Sequence, residues 1–275
     1  MKSVRGPRRH YVVIFAGIVT VLMCRPAVAQ DTWNVVGGGD WNTTGNWDTM
    51  TVPNAIGATA IFPAGFPNAA ATINLSSPVV IKTLQLDNNF MSSITGSSIT
   101  FDDGGGLGSI LFNTGSWTIS NNLILNDPLN ITNTANGVLN GVISGAESLQ
   151  KLAAGTLILG GANTYSGGTT ISAGILQGTT TSLQGNITNG TNLVFDQTTT
   201  GTYSGVISSI GSVTIQNTGT VTFTGSNNYD GNTILNGGTL RVGLTTNLGS
   251  TTNGLIFGGG TLLTTGGMID RKSVV

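Results

Sequence analysis

The sequence has almost none of the residues that carry nucleophilic, redox or metal chemistry. It contains one cysteine, Cys24, and one histidine, His10, and both lie in an N-terminal segment that the sequence marks for removal. Without that segment the chain would have no thiol, no disulfide and no imidazole, which excludes catalytic triads, histidine metal sites and histidine general bases. We therefore predict no catalytic, cofactor-binding or metal-binding residue, and a protein that is not an enzyme.

Charge is also scarce. Charged residues make up 8% of the chain, against about a quarter in an average globular protein, and Glu147 is the single glutamate. Loss of the N-terminal segment leaves five of the ten basic residues against 11 acidic ones, a net charge of −6. The basic residues lost are Lys2, Arg5, Arg8, Arg9 and Arg25. The remaining chain has no basic patch, which excludes nucleic acid as a partner.

The N-terminus has the three parts of a secretory signal peptide. A basic stretch precedes the apolar segment Tyr11 to Met23, and Ala27-Val28-Ala29 matches an A-x-A cleavage site. About 13 apolar residues are too few for a stable membrane span. We predict a signal-peptide helix over residues 1–29, cleavage before Gln30 and a secreted product; an uncleaved anchor is the alternative.

What the chain has in abundance is glycine, 42 residues, together with threonine and asparagine, while the hydrophobic fraction is 39%. Between residues 69 and 140, short apolar runs of strand length alternate with Gly, Asn, Asp or Pro corners. No amphipathic helical pattern occurs. The residues placed on the inward side of these strands are Val80, Leu84, Leu86, Ile99 and Phe101. The pattern predicts an all-β fold, with one continuous solenoid over residues 66–275.

An internal repeat supports the solenoid. The segments 141–178 and 205–242 align at an offset of 64 positions, and about 14 of the first 36 aligned residues are identical. The matches include Gly155 with Gly219, Gly161 with Gly225, Gly167 with Gly231, Gly174 with Gly238, and Asn163-x-Tyr165 with Asn227-x-Tyr229. We predict repeats near 141–204 and 205–268, each of three turns of about 21 residues, in a stack of roughly 11 turns and about 50 Å.

The first copy resembles a known family. Leu152, Gly155-Thr156-Leu157, Asn163-Thr164-Tyr165 and Gly167-Gly168-Thr169-Thr170-Ile171 form a pattern similar to the autotransporter-associated β-strand repeat of bacterial autotransporter passengers. The resemblance implies a right-handed parallel β-helix exported to the cell surface, in which the repeat is scaffold and has no activity of its own.

The two ends of the predicted solenoid differ. Residues 30–65 contain Trp33, Trp41 and Trp47, and we predict an N-terminal cap with the first turn, since a solenoid end exposes apolar core that bulky aromatic residues can cover. An aromatic sugar-binding platform is the alternative. After Gly258 a further turn begins, but the chain stops at Val275 without the translocator barrel typical of the family. We expect a truncated product or another export system, and self-association through an uncapped C-terminal edge.

Few residues are candidates for chemistry. Asp102-Asp103 is the one adjacent acid pair, and some β-helix glycosidases use paired aspartates, but Phe-Asp-Asp-Gly-Gly-Gly is an ordinary turn with no predicted Lys, Arg or His beside it. Asn163 and Asn227 are expected to form a stacked polar ladder at a corner rather than a glycan contact. The other acids are interpreted as scattered and the remaining aromatic residues as isolated: Asp87, Asp127, Asp196, Asp230, Trp117, Tyr203 and Tyr229.

These observations lead to one function and one alternative. The leading hypothesis is an exported, non-enzymatic β-helical surface protein, a passenger stalk or adhesin-type scaffold on a bacterium, whose partners are cell-surface glycans or other cells. The alternative is a carbohydrate-binding or polysaccharide-degrading β-helix protein. An enzyme would need clustered carboxylates with a partner base, and a binder would need exposed aromatic residues along one sheet.

Overall fold

The computed structural model describes residues 30–35, 37–64 and 70–266. The predicted signal peptide and the last residues from Met268 to Val275 lie outside the described part of the chain. No helix among the described residues has the length and apolar character needed to cross a membrane.

The described residues form 28 short strands and two single-turn 3₁₀ helices, Thr44–Asn46 and Thr245–Leu248. The strands up to residue 145 are β1 Gln30–Thr32, β2 Gly39–Asp40, β3 Thr59–Phe62, β4 Thr72–Leu75, β5 Val79–Ile81, β6 Thr83–Leu86, β7 Met91–Gly96, β8 Ile99–Phe101, β9 Gly108–Phe112, β10 Ser116–Ile119, β11 Leu123–Leu125, β12 Leu129–Asn133, β13 Asn136–Leu139 and β14 Ile143–Gly145. The later strands are β15 Leu149–Leu152, β16 Thr156–Leu159, β17 Thr169–Ile171, β18 Ile175–Gly178, β19 Ile187–Asn189, β20 Asn192–Asp196, β21 Thr200–Tyr203, β22 Ile207–Ser208, β23 Ser212–Gln216, β24 Thr220–Phe223, β25 Thr233–Leu235, β26 Thr239–Val242, β27 Leu255–Phe257 and β28 Thr261–Thr264.

The strands stack into three faces around one axis. The first sheet has the order β1-β3-β6-β9-β12-β15-β17-β19-β22, and the second has the order β2-β4-β7-β10-β13-β16-β18-β20-β23-β25-β27. The third face consists of two separate sheets, β5-β8-β11-β14 and β21-β24-β26-β28. Strand pairs are parallel, as between β10 and β13 or between β15 and β17. The fold is therefore an all-β parallel solenoid, as predicted. Ten steps separate the ends of the second sheet, or about 48 Å at ~4.8 Å per step.

Alternation of side chains explains how such short strands build a core. In β16, Leu157 and Leu159 are buried, whereas Thr156 and Ile158 face outward and are partly exposed. In-register pairing places the inward residues of successive turns directly above one another, so the interior is a set of continuous apolar columns. The predicted inward residues Leu84, Leu86, Ile99 and Phe101 are buried. The prediction for Val80 is wrong, because its neighbours Val79 and Ile81 fill the interior and turn Val80 outward.

The glycines of the repeat serve two different purposes. Gly174 and Gly238 have positive φ angles of 73° and 59°, a conformation that residues with a side chain rarely adopt. Gly161 and Gly225 are needed for close stacking instead. A Cβ atom on either would lie 2.2 Å from a carbonyl oxygen of the turn below. Turn-to-turn contact, and not backbone conformation alone, thus fixes the spacing of glycines in the repeat.

The repeat is longer than three whole turns. Leu149 lies in the first sheet, and successive turns in that sheet place Thr169, Ile187 and Ile207 above it. Three turns therefore end at Ile207, and Val213, the repeat counterpart of Leu149, already lies in the second sheet. The predicted period of three turns is wrong, because the turns here are shorter than 21 residues. The second copy is advanced by one face around the solenoid axis.

This advance explains where the sheets are interrupted. The segment Gly161–Gly167 crosses the third face without forming a strand, and the third face has no strand between β14 and β21. The matching segment Gly225–Gly231 crosses the first face instead, and the first sheet ends at β22. One sequence motif thus removes strands from a different face in each copy.

Candidate functional site

The three N-terminal tryptophans are buried and pack against one another. Trp33, Trp41 and Trp47 are at most 2% exposed. The ring contacts among them and with Phe62 have centroid distances of 5.0–5.7 Å, and the shortest is between Trp41 and Trp47. The Trp47 Nε1 group donates a hydrogen bond of 2.7 Å to the carbonyl oxygen of Trp41. Buried rings have no free face for a sugar, so this cluster is not an exposed binding platform.

Asn163 and Asn227 each connect three successive turns. The Asn163 Oδ1 atom accepts a hydrogen bond of 2.8 Å from the Ile143 N–H in the turn below, and its Nδ2 group donates one of 2.7 Å to the Ser182 carbonyl in the turn above. Asn227 makes the same bonds with Ile207 and Asn247, at 2.8 and 2.5 Å. The two residues lie on different faces, so the predicted stacking of one on the other is wrong. Their role as buried structural links is clear from these bonds.

The tyrosines of the motif are equally structural. Tyr165 and Tyr229 are buried, and each phenol lies 2.7 Å from the hydroxyl of the threonine four residues later, Thr169 or Thr233. Burial raises the pKa of Tyr165. Trp117 and Tyr203 are also buried, so the aromatic residues that sequence analysis interpreted as isolated belong to the core.

The acid pair Asp102-Asp103 lies in a turn with a third carboxylate. Asp127 accepts hydrogen bonds from the backbone N–H groups of Asp103 and Gly105, the latter at 3.0 Å. Lys82 Nζ lies 3.0 Å from the Asp103 carboxylate. The sequence interpretation is wrong on two points, since a lysine does accompany the pair and Asp127 is not isolated. Both partners come from neighbouring turns, so no pattern along the chain could show them.

These contacts favour a structural turn. Asp102 accepts the Gly104 N–H at 2.8 Å and the Asn126 amide at 3.0 Å, while Asp127 is 4% exposed and bonded to backbone. A glycosidase needs one protonated and one ionised carboxyl group facing a substrate cleft. Here the carboxylates bind groups of their own and the neighbouring turns, and among the described residues no group of three or more acid, histidine or cysteine side chains is arranged to hold a metal ion.

Lys151 is a buried cation that the sequence analysis missed. It lies between Ile131 and Ile171 in the first sheet and is fully buried. Its ammonium group donates hydrogen bonds to the carbonyl oxygens of Ala153 at 3.0 Å and Ala173 at 2.9 Å. Burial lowers the pKa of Lys151 to about 8. The alternation of β15 would have predicted it, because Leu149 points inward and Lys151 follows two residues later.

The motif that carries these contacts is found in a known family. The family model of the passenger-associated-transport-repeat matches residues 149–177 and 213–242. No curated protein and no solved structure gives a significant match to the chain. The two matched segments lie within the repeat copies 141–178 and 205–242 and begin at the counterparts Leu149 and Val213. The chain therefore carries two passenger-associated-transport-repeats, and its parallel β-solenoid is consistent with an autotransporter passenger-like β-helix.

Proposed function

We propose that this chain is an exported, non-enzymatic passenger scaffold that forms a rigid rod on the surface of a bacterium. The observation that supports it most strongly is the pair of passenger-associated-transport-repeats within one solenoid, whose second sheet of 11 strands runs through both. The interior is filled by apolar columns, and the candidate acids are bound to backbone groups of their own or the neighbouring turn. A fold of this kind holds whatever it presents at a fixed distance from the membrane.

The export part of the proposal has a direct test. The full chain is expressed in a bacterium with two membranes, and the mass of the purified product is compared with that of a variant in which Ala29 is replaced by Glu. We expect the wild-type product to have lost residues 1–29 and to be cleaved by protease added to intact cells. A full-length product that stays inside the cells and resists the protease would contradict export.

The non-enzymatic part needs a separate test. The protein is incubated with a panel of neutral and acidic polysaccharides, and new reducing ends and unsaturated products are measured. We expect no release above the level of the Asp102→Asn, Asp103→Asn double variant. Release by wild type that the double variant loses would contradict the proposal and identify the alternative, a polysaccharide-degrading β-helix.

A further inference from the structure

Two neighbouring depressions lie on the third face, beside the ends of strands β21, β24 and β26. Their volumes are about 380 and 390 Å³, within the range of small-ligand sites. The first is lined by Thr180, Leu183, Gln184, Gly185, Asn186, Thr202, Tyr203, Ser204 and Gly205. The second is lined by Thr222, Phe223, Thr224, Arg241, Gly243, Leu244, Asn247 and Thr265.

The two depressions follow one another along the solenoid axis, and together they are referred to as the groove. Thr202, Thr222 and Arg241 are in-register partners in the parallel strands β21, β24 and β26. Their side chains face outward, since each alternates with a buried neighbour in its strand. Successive positions are therefore separated by one turn, about 4.8 Å. An elongated ligand can contact all three, whereas a compact ligand would occupy a single depression.

Two polar side chains at the first depression, Gln184 and Asn186, are each held by one hydrogen bond but are not saturated. The Gln184 amide donates a bond of 2.7 Å to the Thr181 carbonyl, and the Asn186 Oδ1 atom accepts one of 2.9 Å from the Val206 N–H. The Gln184 Oε1 atom, the Asn186 Nδ2 group and the Ser204 hydroxyl have no hydrogen-bond partner among the described residues. Fixed donors and acceptors of this kind suit a ligand rich in hydroxyl groups.

Arg241 adds a charge at the other end of the groove. Its side chain is exposed, and within the described ranges the one ion pair is between Lys82 and Asp103. A guanidinium group has a planar set of donors that matches a carboxylate. The repeat counterpart of Arg241 is Gln177, whose amide instead donates to Asp196 at 2.7 Å. The cation is therefore a feature of this groove and not of the repeat.

We propose that this groove binds an extended saccharide that carries a carboxylate, with its hydroxyl groups at Gln184, Asn186 and Ser204 and its carboxylate at Arg241. This goes beyond the scaffold role, because it assigns a ligand class and a place on the rod. The ligand lies parallel to the solenoid axis and is bound without catalysis. Hydrogen bonds to neutral hydroxyl groups make up most of the contacts, and the Arg241 guanidinium group gives the preference for an acidic sugar.

The test uses trigalacturonate and its methyl ester, which have the same chain with and without charge. Binding to the 30–275 protein is measured by titration calorimetry at fixed ionic strength. We expect trigalacturonate to bind at least tenfold more tightly than the ester. Arg241→Gln should bind the two ligands about equally. Ser204→Trp fills the first depression and should bind neither ligand.

A matched variant controls for the introduced bulk. Ile124 is exposed in β11, several turns before the groove along the third face, so Ile124→Trp should bind both ligands as wild type does. Circular dichroism and thermal unfolding confirm that each variant is folded. Absence of binding to both ligands, equal binding of the two ligands by wild type, or unchanged binding by Ser204→Trp would each overturn the assignment.

Discussion

A single buried asparagine connects neighbouring turns in each repeat copy. Removing the Asn163 side chain leaves the Ile143 N–H and the Ser182 carbonyl in a buried site without that partner. An unsatisfied buried polar group costs about 1–3 kcal/mol. We predict that Asn163→Ala and Asn227→Ala each lower the free energy of unfolding in urea by this amount. Asn192→Ala, at an exposed position on β20, is the control and should have little effect. Equal stability of all three variants would contradict the structural role.

Lys151 gives the fold an unusual dependence on pH. Its pKa is lowered from the usual 10.5 to about 8, so between these values the unfolded chain binds more protons than the folded one. Stability therefore rises as pH increases through 8 towards 10, by at most about 3 kcal/mol. Burial raises the pKa values of Tyr165 and Tyr203, and this acts in the opposite direction only above pH 10. Urea unfolding between pH 7 and 9.5 measures the effect of the lysine alone.

The control for this experiment comes from the second repeat copy. The counterpart of Lys151 is Ile215, which is buried at the equivalent position of β23. Lys151→Ile should therefore fold, and its stability should not change with pH over the same range. A wild type whose stability falls or stays constant from pH 7 to 9.5 would show that the ammonium is satisfied by its carbonyl partners.

Inward and outward positions of the strands should respond very differently to charge. Leu157 is fully buried in β16, whereas Thr222 faces outward from β24. We predict that Leu157→Asp loses about 3 kcal/mol or more, because a carboxylate is left unpaired in an apolar column. Thr222→Asp should lose less than about 0.5 kcal/mol, as is usual for surface substitutions. Resistance to proteolysis gives a second readout, and equal loss in both variants would disprove the assigned register.

At the residue scale, a feature could be predicted from the sequence when the residues that determine it lie close together along the chain. Alternation within a strand is local, so the inward positions of Leu84 or Phe101 could be predicted from neighbouring residues. The Lys82–Asp103 ion pair joins residues of adjacent turns. Which residues become partners depends on the length of each turn. Turn length varies and cannot be predicted from a local sequence pattern. The error at Val80 has a different origin, since a shift of one residue within a strand reverses every side chain of that strand.

At the scale of strands and turns, one turn is the unit of folding. Leu129 lies directly below Leu149, and Asn130 below Gln150, so residues 129–148 make up one turn. We predict that deletion of 129–148 leaves a folded protein, because the strand that begins at Leu149 can pair with β9 in place of β12. The change in circular dichroism and the midpoint of thermal unfolding measure the outcome.

Deletion of half a turn is the matched control. Removing residues 129–138 would place the end of β13, a strand of the second sheet, on the first face, out of register with β9 and β15. This variant should lose cooperative unfolding and become sensitive to protease. If the half-turn deletion were as stable as the whole-turn deletion, the turn would not be the unit, and pairing register would matter less than apolar content.

The repeat shows why the number of turns per repeat was harder to predict than the repeat itself. Identity between the copies reveals the offset of 64, but turn lengths between Leu149 and Ile207 are set by how the corners close. The backbone keeps the positive φ angles at matched positions, such as Ala153 with Asn217 and Gly185 with Gly249. Conformation thus follows the sequence motif, while the face on which it lies follows from the accumulated turn lengths.

At the scale of the whole molecule, low charge and the last described strands both bear on association. The described part of the chain ends with β27 in the second sheet and β28 in the third, each paired on one side. Phe257 and Leu263 on these strands are 43% and 47% exposed. Unpaired strand edges with exposed apolar side chains are templates for association, and a chain with few charges has little repulsion to oppose it.

We predict that the 30–275 protein self-associates through this last turn. The Phe257→Lys, Leu263→Lys double variant should have a lower average mass in light scattering at matched concentration, because two like charges on the edge repel a second copy. Ile210→Lys is the control, since Ile210 is 71% exposed but lies at a corner away from the edge strands. If Ile210→Lys reduced association as strongly, general solubility would be responsible. If the wild-type protein were a stable monomer at every concentration, the edge of β27 and β28 would have to be covered within the chain itself, and end-to-end association would be disproved.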